Sequence, residues 1–242
     1  MNDILKPFVR LGLLAMIVLL FSIILAGCCM TGELIQSTST IDLGDAKQVE
    51  TTLSMLSGKL KVAGKNQSPL LVSQFSYNLE KWYPDINYQV DNGNGELSII
   101  QKQKGKTFFN ETQNEWTIFL NQEIPLSLDI ILGNGENRLD LAQLNLKKLD
   151  TVIGNGETII DLDGQDSLEL FVNIIGGIGH TTINIPKKKG IRILIKGGLN
   201  KISMHGFDQI GNFYYNPIFD ISQEKIFITL VSGFGIIDVN LN

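Results

Sequence analysis

A repeated segment in the second half of the chain constrains its fold more than any other feature. Residues 128–141 and 149–162 share the core Gly-Asn-Gly-Glu at an offset of 21 residues. Weaker copies begin at Gly177, Gly198 and Gly233. A fixed period of this length is typical of chains built from stacked, similar units. The repeat therefore predicts an extended stack.

Each copy consists of a short apolar strand, a glycine-rich turn and an alternating strand. Glycine adopts the positive φ of a tight turn, and asparagine tolerates it. Alternation places apolar side chains on one face of the strand and polar side chains on the other. The apolar set is Leu139, Leu141, Ile160, Leu162, Ile183 and Ile185, and the polar set is Asp140, Asp161 and Asn184. One unit cannot bury its apolar face alone, so we expect the units to stack at the strand spacing of about 4.8 Å.

The pattern predicts an all-β fold, with a right-handed β-solenoid-like stack of short strands over residues 127–242. Only the run Leu141–Leu149 has any suggestion of helical periodicity. Residues 47–126 have longer spacings but hold two relatives of the repeat, at Leu56–Val62 and Gly93–Ile99. We expect this region to cap the stack. Its predicted strands are Val49–Met55, Lys59–Val62, Leu70–Tyr77, Asn87–Val90, Glu96–Gln101 and Glu115–Phe119. Trp82 is predicted to be a packing residue of this cap rather than a ligand platform.

The N-terminus resembles a bacterial lipoprotein signal. Lys6 and Arg10 precede the uncharged segment Leu11–Ala26, and the small residues after Leu25 lead to Cys28. A signal peptide over residues 1–27 is predicted, preceding a lipidated Cys28 and a flexible tether over 28–46. Palmitate and other acyl chains on Cys28 would hold the protein to a bacterial membrane, cytoplasmic or outer.

An uncleaved anchor is the alternative for this segment. Leu11–Met30 contains 20 uncharged residues, enough for a helix that crosses a bilayer of about 30 Å. Under both interpretations, the rest of the chain lies outside the cytoplasm.

Composition limits the partners and the chemistry. Removal of residues 1–27 leaves 18 basic and 24 acidic groups, a net charge of −6. An acidic chain without a basic stripe is not expected to bind nucleic acid. No cysteine follows Cys29, so packing rather than disulfides must hold the fold.

The sequence contains no constellation that predicts catalysis, and we expect no cofactor and no enzyme activity. His180 and His205 are the only histidines, at a spacing that suggests neither a metal site nor a triad. Gly133 and Gly154 do not precede helices, which excludes a phosphate loop. Lys187–Lys189 is predicted to be a solubilising turn, with anionic lipid or polymer as the alternative contact.

Stacking would align acidic residues of neighbouring copies. Glu136 would lie beside Glu157, and Asp140 beside Asp161, with His180 and Lys201 continuing the glutamate column. A calcium ion would relieve the repulsion between such pairs. The period of 21 differs from that of calcium-binding nonapeptide repeats, so a solvated face is favoured and no metal site is predicted.

Several motifs resemble the bacterial toast-rack domain. They are the run Leu70–Ser98, Asn114-Glu115-Trp116 with Pro125-Leu126, and the two Gly-Asn-Gly-Glu copies. That family is related to the C-terminal region of the envelope stress protein LiaF and to adhesin domains. The resemblance implies a β-solenoid-like fold and a location in the cell envelope, and it brings no catalytic or binding residues.

The expected function is that of a membrane-anchored extracytoplasmic lipoprotein. It would be a non-catalytic binding, adhesin-like or scaffolding module, with an envelope protein or polymer as partner. A LiaF-like regulatory component of an envelope stress response is the alternative.

Overall fold

The structure is a computed structural model that describes residues 32–79, 82–102, 113–197, 201–231 and 233–242. These residues hold sixteen β-strands and no α-helix. The strands are β1 (Ile35–Ile41), β2 (Gln48–Lys65), β3 (Leu71–Tyr77), β4 (Pro84–Asp91), β5 (Asn94–Gln101), β6 (Asn114–Asn121), β7 (Leu126–Asp140), β8 (Leu146–Asp161), β9 (Glu169–Ile175), β10 (Ile178–Ile185), β11 (Gly190–Lys196), β12 (Lys201–Met204), β13 (Asp208–Ile210), β14 (Phe213–Tyr215), β15 (Lys225–Val231) and β16 (Ile236–Leu241).

The N-terminal signal or anchor helix and Cys28 lie outside the described residues. Within the part of the chain that is described, no helix has the length and apolar character needed to cross a membrane.

The predicted stack is confirmed, and it extends further toward the N-terminus than the repeat indicated. Strands β2, β7 and β8 are long strands that pair in parallel with one another. Each is divided by a corner, at Gly58, Gly135 and Gly156 respectively, into a first limb and a second limb. We call one such two-limbed unit a rung. Because β2 is itself a rung, the boundary predicted at residues 126/127 does not divide the sheet.

Close approach of the rungs explains the glycines. A Cβ built on Gly135 would lie 1.7 Å from the carbonyl oxygen of Gly58, and one on Gly156 would lie 2.0 Å from that of Gly135. Gly179 continues this column, since a Cβ added to it would clash in the same way with Gly156. All four glycines of the column also have positive φ: Gly58, Gly135, Gly156 and Gly179. The expected glycine-rich turns of β7 and β8 are therefore corners inside continuous strands.

The order of the rungs departs from the order of the sequence. The rung β9–β10 pairs with β8, as expected for the next copy. The C-terminal pair β15–β16 then lies between β9–β10 and β11–β12, because β15 pairs with both β9 and β11, and β16 with both β10 and β12. The C-terminal strands are thus inserted between two rungs that precede them in the sequence. Strands β14 and β13 extend the first limb beyond β11.

The N-terminal strands extend both limbs at the other end. Strand β5 pairs with the first limb of β2 and with β4, and β6 pairs with the second limb and with β3. Strand β1 pairs antiparallel with β3 along its whole length. The flexible tether predicted over 28–46 is therefore wrong over Ile35–Ile41, where backbone hydrogen bonds hold the chain in the sheet.

One hydrophobic core joins the two limbs. All six apolar residues predicted to face inward from the alternating strands are buried and belong to it. At the N-terminal end, Phe75 and Trp116 meet edge to face at 5.4 Å, and the Trp116 indole N–H donates to Asn114 Oδ1 at 3.0 Å. Trp82 is also buried, as predicted for a packing residue.

Candidate functional site

The outward face of the first limb carries an aromatic row near the C-terminal end of the stack. Phe171 of β9 pairs with Phe227 of β15, Phe227 with Arg192 of β11, and Arg192 with Tyr215 of β14. Alternation explains their direction, because the neighbours on either side of Phe171 are buried in the core. We call Phe171, Phe227, Arg192, Tyr215 and the adjacent Phe213 and Phe219 the aromatic face.

The rings of this face form a continuous contact. Phe171 and Phe227 stack with centroids 5.3 Å apart and planes at 18°. Phe219 meets Phe227 edge to face at 6.2 Å and Tyr215 at 5.0 Å. The Arg192 guanidinium lies 4.7 Å from the centroid of Phe227 and 5.3 Å from that of Phe213. Cation–π and ring contacts of this kind hold the side chains in a fixed arrangement.

A buried asparagine holds the segment that supplies Phe219. The Asn216 amide donates to the Lys189 carbonyl at 2.7 Å, and its oxygen accepts from the Ile191 backbone N–H at 2.8 Å. Asn216 directly follows β14, so these two hydrogen bonds hold the start of the β14–β15 connection next to β11. Lys225, the first residue of β15, also contacts Phe219, because its ammonium lies 4.5 Å from the centroid of that ring.

The aromatic face suits binding rather than catalysis. Phe171 is 49% exposed, while the other rings of the face are half-buried. Half-exposed aromatic residues around an arginine match the residue types enriched at protein interfaces and binding hot spots. The face offers apolar contact, ring faces and one guanidinium to a partner.

A polar network borders the aromatic face on β8. Lys148 is the register partner of Phe171, and its ammonium bridges to the carboxylate of Asp150. Asn173 donates to the same carboxylate at 2.7 Å. Burial favours the protonated acid, but these two hydrogen bonds outweigh it, so the pKa of Asp150 is lowered from its ordinary value of 3.8.

The acidic columns have the predicted register. Glu136 pairs with Glu157, and Asp140 with Asp161. Lys59 of β2 binds Glu136 at 2.9 Å, and the pKa of Lys59 is raised by this hydrogen bond and the accompanying charge. Among the residues that the structure describes, no group of three potential metal ligands comes together.

Both predicted histidine positions are exposed, and one has a partner. His180 continues the glutamate column after Glu157, as predicted, but Ile236 rather than Lys201 follows it. Lys201 comes after Ile236 because of the inserted rung. The His180 Nε2 atom of β10 lies 2.6 Å from the Asp238 carboxylate of β16, the adjacent strand. His205 is exposed just beyond β12.

The basic turn was only partly predicted. Lys187 and Lys188 are exposed, but Lys189 is buried and its ammonium donates to the Ser167 carbonyl at 2.8 Å. The carboxylate of Glu224 lies 3.1 Å from the same ammonium. A solubilising turn is therefore the wrong description of Lys189, since this side chain ties together three segments of the stack.

Sequence reasoning did not identify the aromatic face. Leu170-Phe171-Val172 reads as a continuous apolar run, so Phe171 could equally have belonged to a core strand. The row exists only because β15 lies between β9 and β11, and the repeat gives no sign of that insertion. The one available signal was the alternation of Arg192 between Ile191 and Ile193, which placed a cation on the outward side.

Known proteins match this chain in sequence and structure. The family model described as the N-terminal domain of toast_rack, DUF2154, matches residues 30–184. A crystal structure of a candidate cell adhesion protein from Clostridium sporogenes is 31% identical, with 87% of this chain and 100% of that chain covered and a TM-score of 0.82. A candidate adhesin from Bacteroides fragilis is 13% identical, with 86% and 97% covered and a TM-score of 0.34. No curated protein matches.

The family match begins before β1 and ends within β10, so it crosses the boundary predicted at 126/127. It includes Phe171 but not Arg192, Tyr215 or Phe227 of the aromatic face. The matched residues make up more than half of the 242 residues. The resemblance found in the sequence is confirmed, and the chain belongs to the toast_rack N-terminal domain family.

Proposed function

We propose that the protein is a lipid-anchored, non-catalytic binding module of the bacterial cell envelope, acting outside the cytoplasm in an adhesin-like role. The observation that carries the binding role is the aromatic face, in which the half-exposed ring of Phe171 stacks on Phe227 and Phe227 in turn lies beside Arg192. The description of the Clostridium sporogenes relative as a candidate cell adhesion protein supports the same role.

The stack gives this face the rigidity that binding needs. Phe171, Phe227 and Arg192 lie on three adjacent parallel strands whose inward neighbours are all buried. A partner that contacts them does not have to order a loop first, so little conformational entropy is lost on binding. The rings are also already in mutual contact, which fixes their rotamers before the partner arrives.

Cross-linking in native membranes followed by mass spectrometry tests the binding role. Wild type should capture a defined envelope protein or polymer, and Phe171→Ser should reduce that capture by about tenfold, as expected for an interface anchor. Ile100→Ser is the matched control, because Ile100 is 40% exposed on β5, which β2, β7 and β8 separate from β9. Equal capture by wild type and Phe171→Ser would contradict the proposal. A sensor kinase as the captured protein would instead favour the regulatory role.

Acyl labelling tests the anchor separately. Wild type should incorporate labelled palmitate and sediment with membranes, because Cys28 follows a lipoprotein-like signal. Cys28→Ala should lose the label, and Cys29→Ala should keep it. Full labelling of Cys28→Ala would show that the anchor is wrongly assigned.

A further inference from the structure

The glycine corners form a ridge along the stack, and its outward crest changes character from one end to the other. Ser57 pairs with Asn134, Asn134 with Asn155, and Asn155 with Ile178. The next crest residue is Phe234, whose backbone N–H donates to the Gly177 carbonyl at 3.0 Å. The crest is therefore polar over its first rungs and apolar over the last ones.

The apolar end of the ridge is exposed on both of its flanks. Phe234 is 72% exposed and Ile178 is 59% exposed on the crest. Ile175 on the first limb is 47% exposed, and Ile236 on the second limb is 43% exposed. We call these four residues the ridge tip. Single exposed apolar residues are ordinary, but a contiguous group marks a contact surface.

The N-terminal segment joins the fold at the same ridge. Ile35, the first residue of β1, pairs with Tyr77, and Tyr77 pairs with Asn114. Asn114 donates to the Ser57 carbonyl at 2.7 Å, which places this row level with the corner at Gly58. Ile35 and the ridge tip thus lie at opposite ends of one line of residues. Seven strand spacings separate Ile35 from Gly235, a distance of about 34 Å.

Cys28 is close to this end in sequence. It precedes Ile35 by seven residues, so the two can be at most about 24 Å apart. A lipid on Cys28 would therefore hold the Ile35 end of the ridge near a bilayer. Leu34 and Ile35 are 48% and 38% exposed at this end, so it is apolar as well.

The charge of the ridge differs from that of the whole chain. Its flanks carry Lys59, Lys196 and Lys201 against Glu115, Glu136 and Glu157, so the ridge is formally neutral, and Lys196 and Lys201 lie at the ridge-tip end. The chain as a whole carries −5. An anionic lipid surface would repel the acidic faces of the protein and would attract the ridge tip, where Lys196 is two strands from Ile175 and Lys201 is the register partner of Ile236.

We propose that the ridge is a membrane-contacting edge, with Phe234 and Ile178 seated among the headgroups of an anionic bilayer. The inference rests on the proposed lipid anchor at Cys28, because the anchor brings the opposite end of the ridge to the same surface. Apolar and aromatic side chains of membrane-surface segments enter the boundary between headgroups and acyl chains. The protein would then lie along the bilayer and leave the aromatic face open to a partner.

Fluorescence quenching in vesicles tests this orientation. Full-length lipidated protein carrying Phe234→Trp is reconstituted in vesicles of phosphatidylglycerol and phosphatidylcholine with brominated acyl chains. Trp82 and Trp116 are buried, so subtraction of the wild-type signal isolates the added emission. Bromination should remove about half or more of that emission. Ile221→Trp should keep its emission, because Ile221 is exposed in the connection that leads to Lys225, at the start of the first limb and away from its corner.

Flotation of the same vesicles separates the two proposals. If wild type floats with the vesicles but Phe234→Trp is quenched no more than Ile221→Trp, the orientation is wrong and the anchor stands. If wild type does not float, the anchor fails and the orientation fails with it. Flotation with selective quenching of Phe234→Trp supports both.

Discussion

Gly177 packs so closely on the preceding rung that a Cβ added to it would lie 1.9 Å from the carbonyl oxygen of Gly154. Gly177→Ala should therefore destabilise the protein by about 3 kcal/mol or more, because the rungs must separate to admit the methyl group. Gly176 is the matched control, since the nearest atom to its added Cβ would lie 3.7 Å away. Gly176→Ala should stay within about 1 kcal/mol of wild type in urea unfolding. Equal effects of the two changes would contradict this account of the corner.

Lys189 should contribute to stability through its buried ammonium. Lys189→Ala leaves the Ser167 carbonyl without this donor and removes the contact with Glu224, at a cost of about 1–3 kcal/mol. Lys188→Ala changes an exposed neighbour of the same type and should cost less than about 0.5 kcal/mol. Thermal unfolding of both variants is the measurement, and a Lys189→Ala variant as stable as Lys188→Ala would show that the burial has no energetic consequence.

Asp150 should make the fold sensitive to acid. Its pKa is lowered in the folded state, so its stabilising contribution is complete above the ordinary value of 3.8 and is lost as the pH falls through the folded pKa. Asp150→Asn should be less stable than wild type at pH 7, and the difference should shrink below pH 3.8. Melting temperatures across this pH range provide the measurement, and a difference that does not change with pH would refute it.

The same carboxylate offers a direct check by NMR. Lys148→Ala removes one of its two hydrogen-bond donors, so the measured pKa of Asp150 should rise. Lys147→Ala is the control, because this exposed lysine is adjacent in sequence but does not contribute to the lowered pKa of Asp150. An unchanged pKa in Lys148→Ala would show that the bridge does not form in solution.

The inserted rung predicts that β11 depends on the C-terminal strands for its place in the sheet. A chain that ends at residue 224 lacks β15 and β16, so β11 loses its parallel neighbour and its link to β9, and it keeps only the three-residue antiparallel pairing with β14. Amide hydrogens of β11 should then exchange faster than in the full chain, whereas the amide hydrogens of β7 and β8 should keep their protection. Hydrogen exchange followed by mass spectrometry compares the two chain lengths. Equal protection of β11 in the two chains would mean that β15 is not needed to hold β11 in the sheet.

The local sequence pattern predicts the rungs, but it does not predict which strands pair when they are far apart in the sequence. The two Gly-Asn-Gly-Glu copies place Glu136 beside Glu157 because both strands are consecutive in sequence and in space. Strand β15 has the same alternating pattern as its neighbours, so nothing local indicates that it enters between β9 and β11. The aromatic face depends on that pairing and was missed with it.

Burial of polar residues was the second limit of sequence reasoning. Lys189 follows two exposed lysines and precedes a glycine, which is the composition of a solvated turn. Its burial depends on Ser167 and Glu224, which are 22 and 35 residues away in the chain. The polar composition of Ile35–Ile41 likewise predicts a tether, whereas an edge strand needs only one face against the core.

The interior position of the C-terminal rung restricts how this architecture can grow. Residues appended after Asn242 would emerge between β10 and β12, one strand from the end of the second limb, and would have to pass over β12 before they could add a rung. Chain order and spatial order coincide from β7 to β8, so a duplicated copy of 21 residues inserted there would find the same neighbour on each side. Longer relatives should therefore arise by duplication within this central region, and an engineered stack should be lengthened there.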